Sequence, residues 1–294
     1  MPISYSYSND IFLTFGDSIT QYGMNPAISG WVATLAFEYT RKLDVVHRGL
    51  SGYNTRWAKK ILPNLLPKTK SYQSNTPPKV EIDRSSFDSV IKSELGNHSP
   101  ARIKLMTIFF GANDASDPTF FQHVPLEEYT SNLEYMINLI YDPSSEYYSP
   151  ETKIILITPP TLNDDMWDKT LKSAGYSGKN RSNVITKQYA DACIEIGNKF
   201  SIPVVNLWQA FTDTAESLKN KTDQTSFPPG CTTDTSSSIF GYDQLLIDGL
   251  HPNAKGNTLI SELVLETINS HYPELSPSNL VELLPSWAEI PDLL

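Results

Sequence analysis

The chain has 294 residues, 39% of them hydrophobic, which is enough for a sizeable buried core. Its formal net charge is −10 and its Lys and Arg residues are not clustered, so neither nucleic acid nor an anionic membrane surface is an expected partner. The sequence has no apolar run near the roughly 20 residues that span a bilayer and no secretory signal. We therefore expect a cytoplasmic protein.

The chain has two cysteines, Cys193 and Cys231, and their spacing fits neither a zinc site nor a disulfide framework.

Five short apolar runs predict five β-strands. The runs are nearly continuous in apolar residues instead of alternating with polar ones, which is typical of a parallel sheet covered on both faces. In chain order they are residues 11–15, 45–47, 105–110, 154–158 and 203–207.

Four stretches with helical spacing of apolar residues lie between or after these strands, at 31–39, 126–140, 185–200 and 259–268. Strands that alternate with helices predict right-handed crossovers and one doubly wound domain over residues 1–294. Segments near 67–100 and 221–239 do not fit this alternation, and we interpret them as inserts. The tail 272–294 is apolar enough to dock on its own domain or on a neighbouring molecule.

Polar residues follow three of the predicted strands, where ligands bind to open parallel sheets. Ser18 follows the first strand in "FGDSIT", Gly52 follows the second in "RGLSGYNT", and Asn113 follows the third in "GAND". Each alone has a structural explanation, because Ser18 could cap a helix, Gly52 could form a turn and Asn113 could cap a loop.

A fourth motif, "DGLHP", places Asp248 three residues before His251. A serine hydroxyl is a weak nucleophile that needs a base such as His, and the base needs a partner that orients its ring. Ser18, His251 and Asp248 could fill these roles, since the three-residue separation on a tight turn lets the carboxylate reach the imidazole. The backbone N–H groups of Ser18 and Gly52 and the Asn113 side chain could stabilise an oxyanion.

The four motifs, in this order, resemble the four blocks of the GDSL or SGNH hydrolase family. Within the family the chain is most similar to fungal isoamyl acetate-hydrolysing esterases, through the stretches "EYTRKLDVVHRGLSGYNTRWAKKILP" and "IFFGANDA". The resemblance implies a three-layer α/β/α sandwich with flavodoxin-like strand order. It also implies a triad of Ser18, His251 and Asp248, no metal or cofactor, and short acyl esters of small alcohols as substrates. A homodimer is a further expectation from the resemblance. In this reading Asp17 supports the turn that carries Ser18.

Other functions are compatible with some of the same residues. An acyltransferase or a carbohydrate deacetylase would use the same triad. A metal-dependent phosphoryl hydrolase would use Asp17, Asp114, Asp248 and His251 as ligands, but it would leave Ser18 and Asn113 without a role. A non-catalytic binding module is a further alternative. Because the second insert lies shortly before Asp248, we also hypothesise that Phe227, Phe240 and Tyr242 shape the ester pocket.

Overall fold

A single parallel sheet organises the protein. The computed structural model describes residues 9–69, 101–176, 178–223, 238–283 and 287–288. Among them, five parallel strands follow the order β2-β1-β3-β4-β5. The strands are β1 (Ile11–Gly16), β2 (Asp44–Gly49), β3 (Ile103–Phe109), β4 (Lys153–Ile157) and β5 (Val204–Val205). The doubly wound, flavodoxin-like order predicted from the sequence is confirmed.

Helices cover both faces of this sheet. Their bounds are α1 (Ser18–Tyr22), α2 (Trp31–Glu38), α3 (Thr55–Ile61), α4 (Leu126–Tyr141), α5 (Asp164–Ser173), α6 (Asn183–Phe200), α7 (Leu207–Asp223) and α8 (Ala254–His271). On one face α2 packs against α8, and on the other α4 lies between α3 and α6. Each strand therefore contributes to two cores. In β1, Phe12 belongs to the core beneath α2 and α8, while its neighbour Leu13 belongs to the core beneath α4 and α6.

All five predicted strands and four predicted helices are confirmed, although β5 is only two residues long. The helices that periodicity did not predict are α1, α3, α5 and α7. Three of these begin at a side-chain cap, provided by Asp17, Asn54 and Asn163. Short helices of this kind have too few turns for an apolar repeat, so a local cap is their main sequence signal.

The two inserts and the tail are only partly described. The prediction that 221–239 is irregular was wrong at its start, because α7 continues through Asp223, while 224–237 lies outside the described residues. For 67–100, only 67–69 is described. The first part of the tail docks on its own domain, where Leu275 is buried and its carbonyl accepts a 2.8 Å hydrogen bond from Tyr39 Oη.

At the carboxyl edge of the sheet, α1 packs tightly against the end of β2, and the end of β1 packs tightly against β3. A Cβ atom on Gly49, the last residue of β2, would lie 2.1 Å from the backbone nitrogen of Gln21 in α1. A Cβ atom on Gly16, the last residue of β1, would lie 2.7 Å from the carbonyl oxygen of Phe109 in β3. Glycine is therefore required at both strand ends because the neighbouring backbone occupies the space of a side chain.

We expect Gly49→Ala to lower the free energy of unfolding by about 3 kcal/mol, since the added methyl group forces α1 away from β2. Gly178→Ala is the control: Gly178 has a φ of +93° with nothing within 4 Å of the added atom, so the strained backbone alone should cost about 1 kcal/mol. Urea denaturation measures both values. Equal losses in the two variants would contradict the steric explanation.

Candidate active site

Ser18, His251 and Asp248 form a continuous chain of hydrogen bonds. Ser18 is the first residue of α1, directly after the turn that leaves β1, and its Oγ lies 3.0 Å from His251 Nε2. His251 Nδ1 lies 2.7 Å from Asp248 Oδ2. Residues 233 positions apart thus meet at the carboxyl edge of the sheet. In this arrangement the imidazole can accept the hydroxyl proton at Nε2 while Nδ1–H donates to the carboxylate.

The turn that carries Asp248 holds its carboxylate in the ionised form. Oδ1 accepts the backbone N–H groups of Leu250 at 2.9 Å and His251 at 2.8 Å. Burial acts to raise the pKa of Asp248, but the hydrogen bond and charge of His251, together with these two N–H groups, hold that pKa below its ordinary value. A carboxylate that stays ionised can stabilise a positive charge on the ring.

Two aromatic rings contact the imidazole edge-to-face. The ring of Tyr22, at the end of α1, has its centroid 5.5 Å from that of His251, and the ring of Trp167 in α5 has its centroid 6.4 Å away. These contacts limit the rotation of the imidazole about its side-chain bonds. Trp167 was not recognised in the sequence because α5 is only ten residues long and Leu171 is its single buried residue.

The other two predicted site residues lie together beside the ends of β2 and β3. Asn113 Nδ2 donates to the carbonyl of Tyr53 at 2.8 Å, which leaves its second N–H available. Gly52 has a φ of +81°, and its carbonyl accepts a 2.7 Å hydrogen bond from Gln122 Nε2. The same Gln122 nitrogen lies 3.3 Å from Asn113 Oδ1. Since β1 lies between β2 and β3 in the sheet, these loops border Ser18 on both sides.

Asp17 is completely buried and caps the helix that begins with Ser18. Its Oδ1 accepts the backbone N–H of Ile19 at 2.9 Å, whereas no described residue hydrogen-bonds its Oδ2. Burial raises the pKa of Asp17 to about 6, against the lowering effect of the Ile19 N–H and of the charges on His251 and Arg181. The carboxyl group thus lies below the turn, in contact with backbone.

A second buried acid, Asp114, follows Asn113 directly. Its Oδ1 accepts the Thr55 backbone N–H at 2.9 Å and a short hydrogen bond from the Thr55 hydroxyl, which connects the loop after β3 to the start of α3. Burial raises the pKa of Asp114 to about 7, although both Thr55 hydrogen bonds lower it. From the sequence, Asp114 was considered only as a possible metal ligand.

Sequence reasoning missed one buried charged residue at this site, Arg181. It lies between α5 and α6, only 8% exposed, and its guanidinium group donates to the carbonyl of Ala112 and to Asn113 Oδ1. The surrounding letters "KNRSN" contain no periodic or motif signal of burial. Only the fold brings this residue behind Asn113.

A cavity of about 230 Å³ opens beside the imidazole. It is lined by Ile19, Tyr22, Asn25, Ile28, Ile247, Asp248, His251, Pro252 and Asn257. Phe240 and Tyr242 are not among these residues; Tyr242 instead packs against the core below α2 and α8. Phe227 lies outside the described residues. A larger groove of about 890 Å³ runs between α3 and α4, and none of the predicted site residues lines it.

Within the described ranges, no group of three or more His, Cys, Asp or Glu side chains is arranged to hold a metal ion. The helices described for this chain also include none that is long and apolar enough to cross a membrane.

The sequence matches the family described as GDSL-like Lipase/Acylhydrolase over residues 12–264. The chain belongs to this family. Isoamyl acetate-hydrolyzing esterase 1 homolog from Homo sapiens is 33% identical over 280 residues, covering 95% of this chain and 87% of that protein. Isoamyl acetate-hydrolyzing esterase from Saccharomyces cerevisiae is 30% identical over 288 residues, covering 96% of this chain and 95% of that protein.

Solved structures support the fold of this GDSL-like hydrolase. The lipase/acylhydrolase from Enterococcus faecalis superposes with a TM-score of 0.52 at 21% identity, covering 93% of this chain and 98% of that one. The three-layer α/β/α fold and the family resemblance are thus confirmed. As a member of a family of esterases, the chain is a carboxylic ester hydrolase.

We expect Asp114→Asn to become more stable relative to the wild type as the pH rises from 5 to 8. The pKa of Asp114 is about 7 in the folded protein against an ordinary 3.8, so the folded state binds the extra proton between these values. The wild type therefore loses free energy of unfolding as the pH rises from 3.8 toward 7. The Asn variant has no proton to release at this position, so its stability does not fall for this reason. Urea denaturation at both pH values measures the difference.

Asp117→Asn, in the same loop, is the matched control. Asp117 is a half-buried acid whose pKa is lowered by hydrogen bonds from Thr119, so it does not hold an extra proton in the folded state. Its variant should show no such gain between pH 5 and 8. An equal trend in both variants would contradict the assignment to Asp114.

Proposed function

We propose that the protein hydrolyses acetate-type esters of small alcohols through an acyl-enzyme on Ser18. The observation that carries this proposal is the chain of hydrogen bonds from Ser18 Oγ to His251 Nε2 at 3.0 Å and from His251 Nδ1 to Asp248 Oδ2 at 2.7 Å. The names of the relatives from Homo sapiens and Saccharomyces cerevisiae support isoamyl acetate and similar esters as the substrate class.

In the first half of the reaction, Ser18 Oγ attacks the acyl carbonyl while His251 Nε2 takes the hydroxyl proton. The carbonyl π electrons move to the oxygen, which becomes the oxyanion of a tetrahedral intermediate. When the intermediate collapses, the bond to the alcohol oxygen breaks and His251 gives its proton to the departing alcohol. Asp248 stabilises the imidazolium that exists between these two proton transfers.

In the second half, His251 removes a proton from water as the water oxygen attacks the acyl-enzyme carbonyl. A second tetrahedral intermediate collapses, the bond to Ser18 Oγ breaks, and the proton returns from His251 to the serine. The products are the carboxylic acid and the free enzyme. One base thus serves both halves, because each begins with removal of a proton and ends with its return.

The oxyanion in both intermediates is stabilised by the backbone N–H groups of Ser18 and Gly52 and by the Asn113 side chain. The first N–H group of a helix has no intrahelical partner, so the Ser18 N–H is available. Asn113 Nδ2 uses one N–H for the Tyr53 carbonyl, and its other N–H remains for the substrate. These donors are fixed before the substrate binds, which removes the cost of reorienting them during the reaction.

The cavity beside His251 fits the alcohol part of a small ester. The alcohol oxygen has to lie near His251 Nε2 to receive its proton, and this cavity is bordered by the imidazole and by the apolar side chains of Ile28 and Ile247. Its volume of about 230 Å³ suits a small alcohol group. The size of this cavity therefore supports small alcohols as leaving groups.

We expect Ser18→Ala to lower kcat by about 10⁴-fold or more and to abolish stoichiometric labelling by a fluorophosphonate, which transfers its phosphorus to the nucleophilic oxygen. Ser51→Ala is the matched control, because Ser51 is an exposed serine in the loop after β2. It should retain both labelling and hydrolysis of isoamyl acetate. Labelling that persists in Ser18→Ala would overturn the proposed nucleophile.

We expect Asn113→Ala to lower kcat by about 100- to 1,000-fold with little change in KM, because its N–H group binds the oxyanion more strongly than the ground-state carbonyl. Steady-state hydrolysis of isoamyl acetate measures both constants. A rise in KM with an unchanged kcat would instead place Asn113 in ground-state binding, outside the oxyanion site.

A further inference from the structure

Arg181 is a buried cation whose direct partners are neutral. Its Nη1 donates to the carbonyl of Ala112, and its Nη2 donates to Asn113 Oδ1 at 2.9 Å and lies 3.5 Å from Gln122 Oε1. In the described part of the chain no salt bridge to a carboxylate involves Arg181. Burying a charge without a counter-ion costs free energy, so its position calls for a role other than stabilising the fold.

The charge on this guanidinium group persists at neutral pH. Burial lowers the pKa of Arg181 to about 10, while the negative charges on Asp17, Asp114 and Asp248 act in the opposite direction. Cζ of the guanidinium group lies over the Trp167 ring, 5.5 Å from its centre, and the Trp167 ring in turn contacts His251. A positive charge therefore lies between Trp167 and Asn113.

The contact with Asn113 determines which way the amide points. A guanidinium group has donors only, so the atom that faces Nη2 has to be the amide oxygen. The opposite face of the amide then presents Nδ2 to the Tyr53 carbonyl at 2.8 Å, with its second N–H left free. A flipped amide would place two donors together at Arg181 and two acceptors together at Tyr53.

We propose that Arg181 is a positioning residue that holds the Asn113 amide with its N–H directed at the oxyanion. This inference rests on the proposed function of the site. The charged donor also polarises the amide through Oδ1, which makes Nδ2–H a stronger donor. The cost of the buried cation is offset when a negative charge forms on the substrate oxygen, so the interaction strengthens in the transition state.

The test is a double-mutant cycle with Asn113. We expect Arg181→Met to lower kcat for isoamyl acetate on the order of 10- to 100-fold, less than loss of the donor itself, with KM changed by less than about 3-fold. In the Asn113→Ala background the same substitution should change kcat by less than about 3-fold, because the group that Arg181 positions is absent. A role in the fold alone would give equal losses in both backgrounds.

Two further variants distinguish positioning from general damage. Arg181→Lys keeps the charge but not the forked pair of donors, so its kcat should lie between those of the wild type and Arg181→Met. Lys187→Met is the matched control, because Lys187 also lies over a tryptophan, 5.2 Å from the Trp208 ring, but on the exposed surface of α6. It should leave kcat and KM unchanged.

Binding of a trifluoromethyl ketone, which forms an oxyanion adduct with serine, provides a second measurement. The affinity of Arg181→Lys for the ketone should be lower than that of the wild type, in proportion to its lower kcat. This variant is therefore informative even where Arg181→Met does not fold. Equal loss from Arg181→Met in both backgrounds, or unchanged ketone affinity in Arg181→Lys, overturns the positioning role and leaves the proposed function standing. Full activity in Ser18→Ala would overturn the proposed function itself.

Discussion

The site depends on how closely α1 lies against the ends of β1 and β2, and on how closely the end of β1 lies against β3. Gly16 and Gly49 have no room for a side chain, since the backbone of α1 and β3 occupies that space. The backbone at Ser18 is therefore held in place by close contacts between the strand ends and α1. The turn after β2 is connected to the same edge by a hydrogen bond from the Leu50 N–H to the Gly16 carbonyl.

Beneath this edge the protein buries three ionisable side chains, Asp17, Asp114 and Arg181. Each makes hydrogen bonds mainly with backbone or neutral side chains, and burial moves the pKa of each toward the neutral form. Such groups reduce the stability of the fold, and proteins retain them most readily where they serve function. Asp17 fixes the start of α1, Asp114 connects two loops through Thr55, and we infer that Arg181 orients Asn113.

The two halves of the proposed site meet through side chains from different parts of the chain. Trp167 makes a T-shaped contact with the His251 ring, Arg181 lies over the Trp167 ring, and Arg181 donates a hydrogen bond to Asn113. The proposed base, His251, and one proposed oxyanion donor, Asn113, are therefore joined by one contiguous set of contacts through α5 and the loop before α6. This arrangement places residues 167 and 181, which belong to no recognisable motif, beside the most specific motifs of the sequence.

The sequence alone determined the alternation of strands and helices, the strand ends that carry Ser18, Gly52 and Asn113, and the turn that carries Asp248 and His251. These features depend on local patterns: apolar periodicity, glycine turns and residues three positions apart. Short capped helices such as α1 and α3 were missed because they carry no apolar repeat.

Only the tertiary structure decided that Arg181 lies behind Asn113, that Trp167 contacts His251, and that Asp114 is buried against Thr55. Burial, and contacts between residues 50 or more positions apart, depend on how the whole chain packs. A single Arg or Asp gives no sequence signal that distinguishes a buried position from an exposed one. The fold also decided that the tail through Leu275 docks on its own domain, a choice that apolar composition had left open.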